Sequence, residues 1–351
     1  MELTELQKKI INAPENKIAV DACAAALKTS TLIEKVRKLL RDGNDPSSIA
    51  VITFTRMAAT ELIDRLGEDY KPGLFVGTIH SLGARFLSIN GLGGRIKQIA
   101  EDEDFDKIFE LCKDLNIKKS YDWVLVDEMQ DTGEKEMEFI FDLINPEHYF
   151  VCFDVRQSIY GFKGARPDLL MKYLERDATF YTMNENYRNG RNILDFARRI
   201  LYPIGMEDSS ISMRPISGTV SQQEYSGHAI VNLIKGQGKP GDWAILTRTN
   251  QEISTVSAFL KKAEIPFDTF KQADLSREEL TKRMEADTVK VLTIHSSKGL
   301  AFNNVIVVGA RFHPDDERNV CYVAATRARN KLVWMSYAKK KKGPPKVRGW
   351  E

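Results

Sequence analysis

Two short strings carry residue types that could move a phosphoryl group. The first, VDACAAALKTSTL, places Lys28 and Thr29 where an apolar run, Ile18–Asp21, gives way to a helix-forming run. A strand, a tight loop of backbone N–H groups and a helix N-terminus make a cradle for phosphate. The GxxxxGK[ST] pattern adds a lysine for the phosphates and a hydroxyl for Mg2+. The lysine and hydroxyl are present here, but Leu27 stands before Lys28 where the pattern has glycine. On pattern alone, an ordinary Ala-rich strand-to-helix turn explains this string as well. The second string, WVLVDEMQDT, is an apolar run closing in two carboxylates, Asp127 and Glu128. Phosphoryl transfer to water needs one carboxylate to hold the metal and a second group to orient or deprotonate the water. A solvated loop is the commoner setting for an Asp-Glu pair. A pair that ends an apolar run, in a chain that also offers strand, loop, Lys-Thr and helix, suits the chemistry better.

Elements that would hold these groups in place are visible as short β-branched runs alternating with amphipathic stretches, the pattern of α/β layers around mainly parallel sheets. Strands are predicted at Ile18–Asp21, Ile49–Phe54, Leu74–Thr78, Trp123–Asp127, Tyr149–Phe153, Trp243–Thr247, Lys290–Thr293, Val305–Val308 and Lys331–Met335. Helices are predicted at Thr29–Leu40, Ala58–Leu66, Lys135–Leu143, Ile193–Leu201 and Ile253–Lys262. Several strands end in a polar residue, and ligands of open α/β sheets gather at those carboxyl ends. Asn90–Ser120, with GLGG and then EDEDFD, reads as a small helical insertion, and Leu201–Gly241 is rich in Pro, Gly and Ser.

A chain of 351 residues suits about two domains. With 42% hydrophobic and 28% charged residues, it reads as a soluble globular protein and not as a disordered or disulfide-built one. The formal charge of +2 means that any nucleic-acid binding must come from local placement. No apolar run reaches the roughly 18 residues of a membrane span, and the charged start MELTELQKKI does not read as a signal peptide, so a cytoplasmic protein without a membrane partner is expected. Four scattered cysteines, without CxxC spacing, read as buried thiols. The five histidines lack metal-ligand spacing.

Further strings, in order, complete a pattern. They are LTELQKKII with Gln7, ITFTRMAATELIDRL (52–66), VGTIHSLGARFL (76–87), VDEMQDT and FDVRQSIYGFKGA (153–165). NENYRNGRNI (184–193), WAILTRTNQEI, TIHSSKGLAF (293–302) and YVAATRARNKL (322–332) follow. Together they resemble the motif series of the UvrD/Rep-type helicases of superfamily 1, over almost the whole chain. The resemblance implies two RecA-like P-loop NTPase domains, residues 1–183 with the helical insertion at about 90–120 and residues 184–338, followed by a basic tail, 339–351.

It implies a DNA-dependent ATPase moving along single-stranded DNA or tailed duplex, 3′ to 5′, with ATP and Mg2+ bound between the domains. Lys28 would contact the β and γ phosphates within a loop of Ala24, Ala25, Ala26, Leu27, Thr29 and Ser30. Thr29 and Asp127 would hold the metal, and Glu128 would activate water. Gln157 would sense the γ-phosphate, while Arg188 and Arg327 would reach it from the second domain. Gln7 would read adenine and Tyr187 would stack on it. For nucleic acid, the candidates are the aromatics Phe54, Tyr160 and Phe162 and the polar residues Thr55, Thr78, His80, Arg248 and His295. A single copy is the expected working unit, with a loading partner from replication, repair or phage genome processing compatible with it.

The sequence departs from the family at three points. Ala25 and Leu27 replace glycines of the phosphate loop, and Ala301 replaces a glutamate associated with the ribose. Only 46 residues separate His80 from Asp127 and 42 separate Arg248 from Val291, where larger relatives insert accessory domains. The loop changes keep open an alternative, a weakly or non-hydrolysing nucleic-acid-binding module on the same fold.

Overall fold

The computed structural model describes residues 2–271, 275–309 and 317–337. The basic tail, 339–351, and residue 338 lie outside it. Strands β1 (Lys17–Ala22), β2 (Ile49–Thr53), β3 (Phe75–Thr78), β4 (Trp123–Val126), β5 (His148–Phe153) and β6 (Thr179–Met183) form a six-stranded sheet in the order β3-β2-β4-β5-β1-β6. A small pair, β7 (Glu185–Asn186) and β8 (Ile211–Ser212), follows. Strands β9 (Thr219–Glu224), β10 (Trp243–Thr247), β11 (Phe267–Thr269), β12 (Val289–Thr293), β13 (Phe302–Val308) and β14 (Ala328–Ser336) form a second six-stranded sheet, ordered β11-β12-β10-β13-β14-β9. Every pairing in both sheets is parallel. The fold is therefore mixed α/β with two RecA-like domains.

Side chains alternate between faces along a strand, and both faces of each sheet are covered by helices. In the first sheet Ala19, Ile52, Val124 and Val151 face one core, while Ile18, Val51, Leu125 and Phe150 face the other. The second sheet repeats this with Leu246, Leu292, Val305 and Trp334 on one side and Ile245, Val291, Ile306 and Val333 on the other. Two-sided burial is why these strands read as continuous apolar runs. Among the described residues no helix is long and apolar enough to cross a membrane. All four cysteines are buried.

Each of the nine strands expected from sequence is present, with ends shifted by a residue or a few. Besides the small pair β7 and β8, the strands β6, β9 and β11 were not expected. All three lie at sheet edges, where β6 and β9 are largely exposed. The helix expected at Lys135–Leu143 is an α-turn, Glu134–Glu138, that widens into a π-helix, Phe139–Ile144. In the insertion, helices Gly93–Glu101 and Asp106–Cys112 pack on helix Ile79–Ile89, burying Ile99, Ile108 and Phe109 against Leu82 and Phe86. Gly83 permits this approach, since a Cβ there would sit 2.4 Å from Ile108 Cγ2.

Register sets the site. Asp21 of β1 lies opposite Phe153 of β5, and Val126 of β4 opposite Val151 of β5. The segments carrying Lys28, Asp127 and Gln157 consequently leave the sheet side by side.

Candidate active site and nucleic-acid interface

The loop after β1 turns through two left-handed residues, Ala25 (φ 58°) and Leu27 (φ 66°, ψ 34°), before helix Lys28–Arg41 begins. No side chain caps that helix, so its first-turn N–H groups are left to an anion or water. Within the loop the Ala24 carbonyl accepts from Asn186 Nδ2 at 2.8 Å and the Ala25 carbonyl from the Tyr187 N–H at 3.4 Å. Ala26 is buried. Ser30 Oγ accepts from Arg65 Nη2 at 2.8 Å, which ties it to helix Arg56–Leu66.

Lys28 is 7% exposed, and its Nζ lies 3.6 Å from Glu128 Oε1. Burial by itself lowers a lysine pKa, but the Glu128, Asp154 and Asp127 carboxylates outweigh it and hold Lys28 above its ordinary value. Thr29 Oγ1 donates to Asp127 Oδ2 at 2.6 Å. Burial and the adjacent Glu128 push the Asp127 carboxyl up, whereas Lys28 and Lys298 overcome burial and hold Glu128 low. Glu128 is itself left-handed (φ 57°), its Oε2 accepts from Gln130 Nε2 at 2.6 Å, and at 31% exposure its carboxylate is within reach of water.

The Thr29 hydroxyl and Asp127 carboxylate are the hard oxygen donors that Mg2+ prefers. No group of three or more His, Cys, Asp or Glu side chains is placed to hold a metal among the described residues. Two protein oxygens fit Mg2+, which commonly completes its shell with phosphate oxygens and water.

Opposite them, Gln157 Nε2 donates to Asp154 Oδ2 at 2.6 Å, and Gln157 Oε1 accepts from Arg327 Nη2 at 3.0 Å. Arg327 is 1% exposed and also donates to the Val323 and Leu300 carbonyls. Burial and the charge of Arg188 push its pKa down. Burial and Arg329 likewise lower Arg188, to about 10. Two buried arginines so placed favour an anion beside them. Arg188 is positioned by a knot of buried amides. Asn186 Oδ1 accepts from the Arg188 and Asn189 N–H groups, and Asn189 Nδ2 donates to the Thr326 and Ala328 carbonyls on either side of Arg327. Tyr187 donates its hydroxyl to Glu185 at 2.8 Å. Gln7 is buried, with its amide engaged by the Thr4 N–H and the Thr31 hydroxyl.

Of the nucleic-acid candidates, four come together from both domains. Phe54 stacks on Tyr160 with ring centroids 5.0 Å apart, and Phe162 meets His295 edge-on at 5.4 Å. Tyr160 lies 6.1 Å from both Phe162 and His295. Phe162 is 71% exposed on its Gly161–Lys163 turn, so its face is open to a base. Thr55 and Thr78 cap helices Arg56–Leu66 and Ile79–Ile89 by accepting from Ala58 and Ser81 N–H groups. His80 packs instead on Phe109 and Phe105 of the insertion, 3.6 Å from Glu136. Arg248 pairs with Glu317 at 3.1 Å.

The family model described as UvrD/REP helicase N-terminal domain matches residues 3–116 and 110–179, and that described as UvrD-like helicase C-terminal domain matches 270–340. The chain belongs to the UvrD/Rep-type helicase family. DNA helicase II of Salmonella typhimurium is 22% identical over 76% of this chain and 51% of its own length. A probable DNA helicase of Mycoplasma pneumoniae is 23% identical over 95% and 83%, and the Gabija protein GajB of Bacillus cereus 22% over 90% and 92%. The chain spans about a quarter to a half of the first curated relatives it matches. Within this UvrD/Rep-type chain, sequence reasoning missed Asn186, Asn189, Gln130, Arg156 and Lys298. Arg156 bridges Asp154 and Asp21 at 2.5 and 2.6 Å, fixing the strand end before the phosphate loop. The available signal was their place inside strings already singled out.

Proposed function

We propose that the chain hydrolyses ATP between its two RecA-like domains and uses closure of that cleft to travel 3′ to 5′ along single-stranded DNA. The observation that carries this reading is the 3.0 Å contact of Arg327, from the second domain, with Gln157, from the first, beside the Lys28–Glu128 pair. Lys28 and the first-turn N–H groups bind the phosphates, and Glu128 accepts the proton of the attacking water. Arg188 and Arg327 meet the negative charge that develops on the γ-phosphoryl oxygens. Thr29 and Asp127 would hold Mg2+, which when bound neutralises phosphate charge. The aromatic group around Tyr160 stacks on bases of any sequence, as a motor requires.

Lys28→Ala and Glu128→Gln should each lower DNA-stimulated ATP turnover by about 100-fold or more. Wild-type turnover in both variants overturns the reading. A tailed-duplex assay with 3′ and 5′ tails tests polarity. The left-handed Ala25 and Leu27 favour a second reading, a binding module that hydrolyses ATP poorly, because side chains there crowd the phosphate approach. An ATPase assay with and without single-stranded DNA separates the two.

A further inference from the structure

Arg214 lies between Leu201 and Gly241, outside every string that carries the phosphate chemistry, yet its guanidinium joins the two segments that bear Arg188 and Arg327. Its Nη1 donates to the Arg188 carbonyl at 3.1 Å, to the Arg329 carbonyl at 2.7 Å and to Asn330 Oδ1 at 2.9 Å. That nitrogen has two N–H groups, so the three acceptors share them. Strand β8 brings the side chain into place. The Ile211 and Met213 N–H groups donate to the Asn184 and Asn186 carbonyls at 2.6 and 2.8 Å, and Ser212 Oγ donates to the Asn189 carbonyl at 2.7 Å. Side chains alternate along an extended segment, and here Ile211 and Met213 are 55% and 47% exposed while Ser212 and Arg214 turn in toward residues 188 and 189. Apolar burial alone would turn this segment over, and its polar contacts oppose that.

The joined segments carry like charges that press apart, Arg188 against Arg327 and Arg329 against Arg188. Asn189 ties them at the Thr326 and Ala328 carbonyls. Arg214 adds a second tie, on the backbone of Arg188 itself and of Arg329. We infer that Arg214 is the positioning residue that fixes the spacing of Arg188 and Arg327, so that both meet the γ-phosphoryl group in its transition state. The inference rests on the ATPase reading above. A misplacement of about 1 Å in such groups costs on the order of 100-fold in rate, whereas ground-state binding through Lys28 and the helix N-terminus changes little.

The test measures kcat and KM for ATP at saturating single-stranded DNA, and the affinities for ADP and for ADP with aluminium fluoride, a mimic of the transferring phosphoryl group. The proteins are wild type, Arg214→Met, Arg214→Lys and Asn330→Ala. Arg214→Met loosens one of two ties and should lower kcat about tenfold, with KM and ADP affinity within about threefold of wild type and binding of the aluminium fluoride complex weakened about tenfold. Arg214→Lys keeps a charged donor without the planar fork and should recover part of kcat. Asn330→Ala should give a smaller loss of the same kind. Where Arg214→Met does not fold, Asn330→Ala carries the test, and wild-type kcat there overturns the inference. Wild-type kcat in Arg214→Met, or equal loss of affinity for ADP and for its aluminium fluoride complex, overturns the inference while leaving the ATPase reading intact. A wild-type chain that does not hydrolyse ATP overturns both.

Discussion

Leu27 sits in the left-handed region, where an L side chain crowds the following carbonyl at a cost of roughly 1–2 kcal/mol, and glycine does not. Its side chain belongs to none of the buried core clusters, so little packing is lost on its removal. Leu27→Gly should therefore stabilise the fold by about 0.5–1 kcal/mol after the glycine's extra unfolded-state entropy is subtracted. It should also lower KM for ATP by opening the approach to the helix N-terminus. Urea melts and an ATP titration check both, and a destabilised variant with unchanged KM contradicts the argument. The grouping of Lys28, Thr29, Asp127 and Glu128 was legible because they are polar residues at the ends of apolar runs. The loop's left-handed backbone was not, since Ala and Leu ordinarily argue against that conformation. Asn186 and Asn189 escaped notice because a buried amide knot and a solvated loop use the same residue type, and only contacts separate them.

At the scale of elements, the short helix Glu134–Glu138 shows how a cap acquires pH dependence. Glu136 reaches back so that its Oε2 accepts from the Gly133 N–H at 2.6 Å, satisfying one donor of the first turn. Burial pushes its carboxyl from 4.5 up to about 7, against that hydrogen bond and helped by Asp106 and Asp131. The facing His80, 3.6 Å away, has its own pKa lowered by burial. Between pH 4.5 and 7 the folded state holds the Glu136 proton more tightly than the unfolded chain, so this group's contribution to stability falls as pH rises and is lost above about 7. Glu136→Gln keeps the acceptor and removes the titration. It should match wild type near pH 4 and exceed it at pH 8 by up to about 3 kcal/mol, read from denaturant melts at both pH values. A difference that does not vary with pH counts against this assignment. The same contrast of inside and edge explains which strands were legible. Interior strands such as β4 and β10 are buried at every residue and read as apolar runs, whereas β6 and β9 face water along one side and carry polar sequences such as TVSQQE.

For the whole molecule, charge and shape divide the work of holding a strand. Residues 1–338 carry 45 basic against 48 acidic residues, while residues 339–351 carry six against one. The aromatic group that joins the domains, Phe54, Tyr160, Phe162 and His295, is proposed to hold bases by stacking, which salt screens weakly. Of the cations near it, Lys298 pairs with Asp131 and Arg248 with Glu317, while Lys163 lies 5.4 Å from the Tyr160 ring centroid. The excess of positive charge lies in the tail, and each phosphate neutralised on a single strand contributes about −0.7 to the slope of log K against log salt. Deleting residues 339–351 should make that slope shallower by up to about 4 and weaken DNA binding chiefly at low salt. Affinity at high salt and basal ATP turnover should be unchanged, because every group assigned to phosphate chemistry lies before the tail. Fluorescence anisotropy across a salt series, run beside a basal ATPase assay, measures both. An unchanged slope would mean that the track itself supplies the charge, and lost basal turnover would mean that the tail supports the motor.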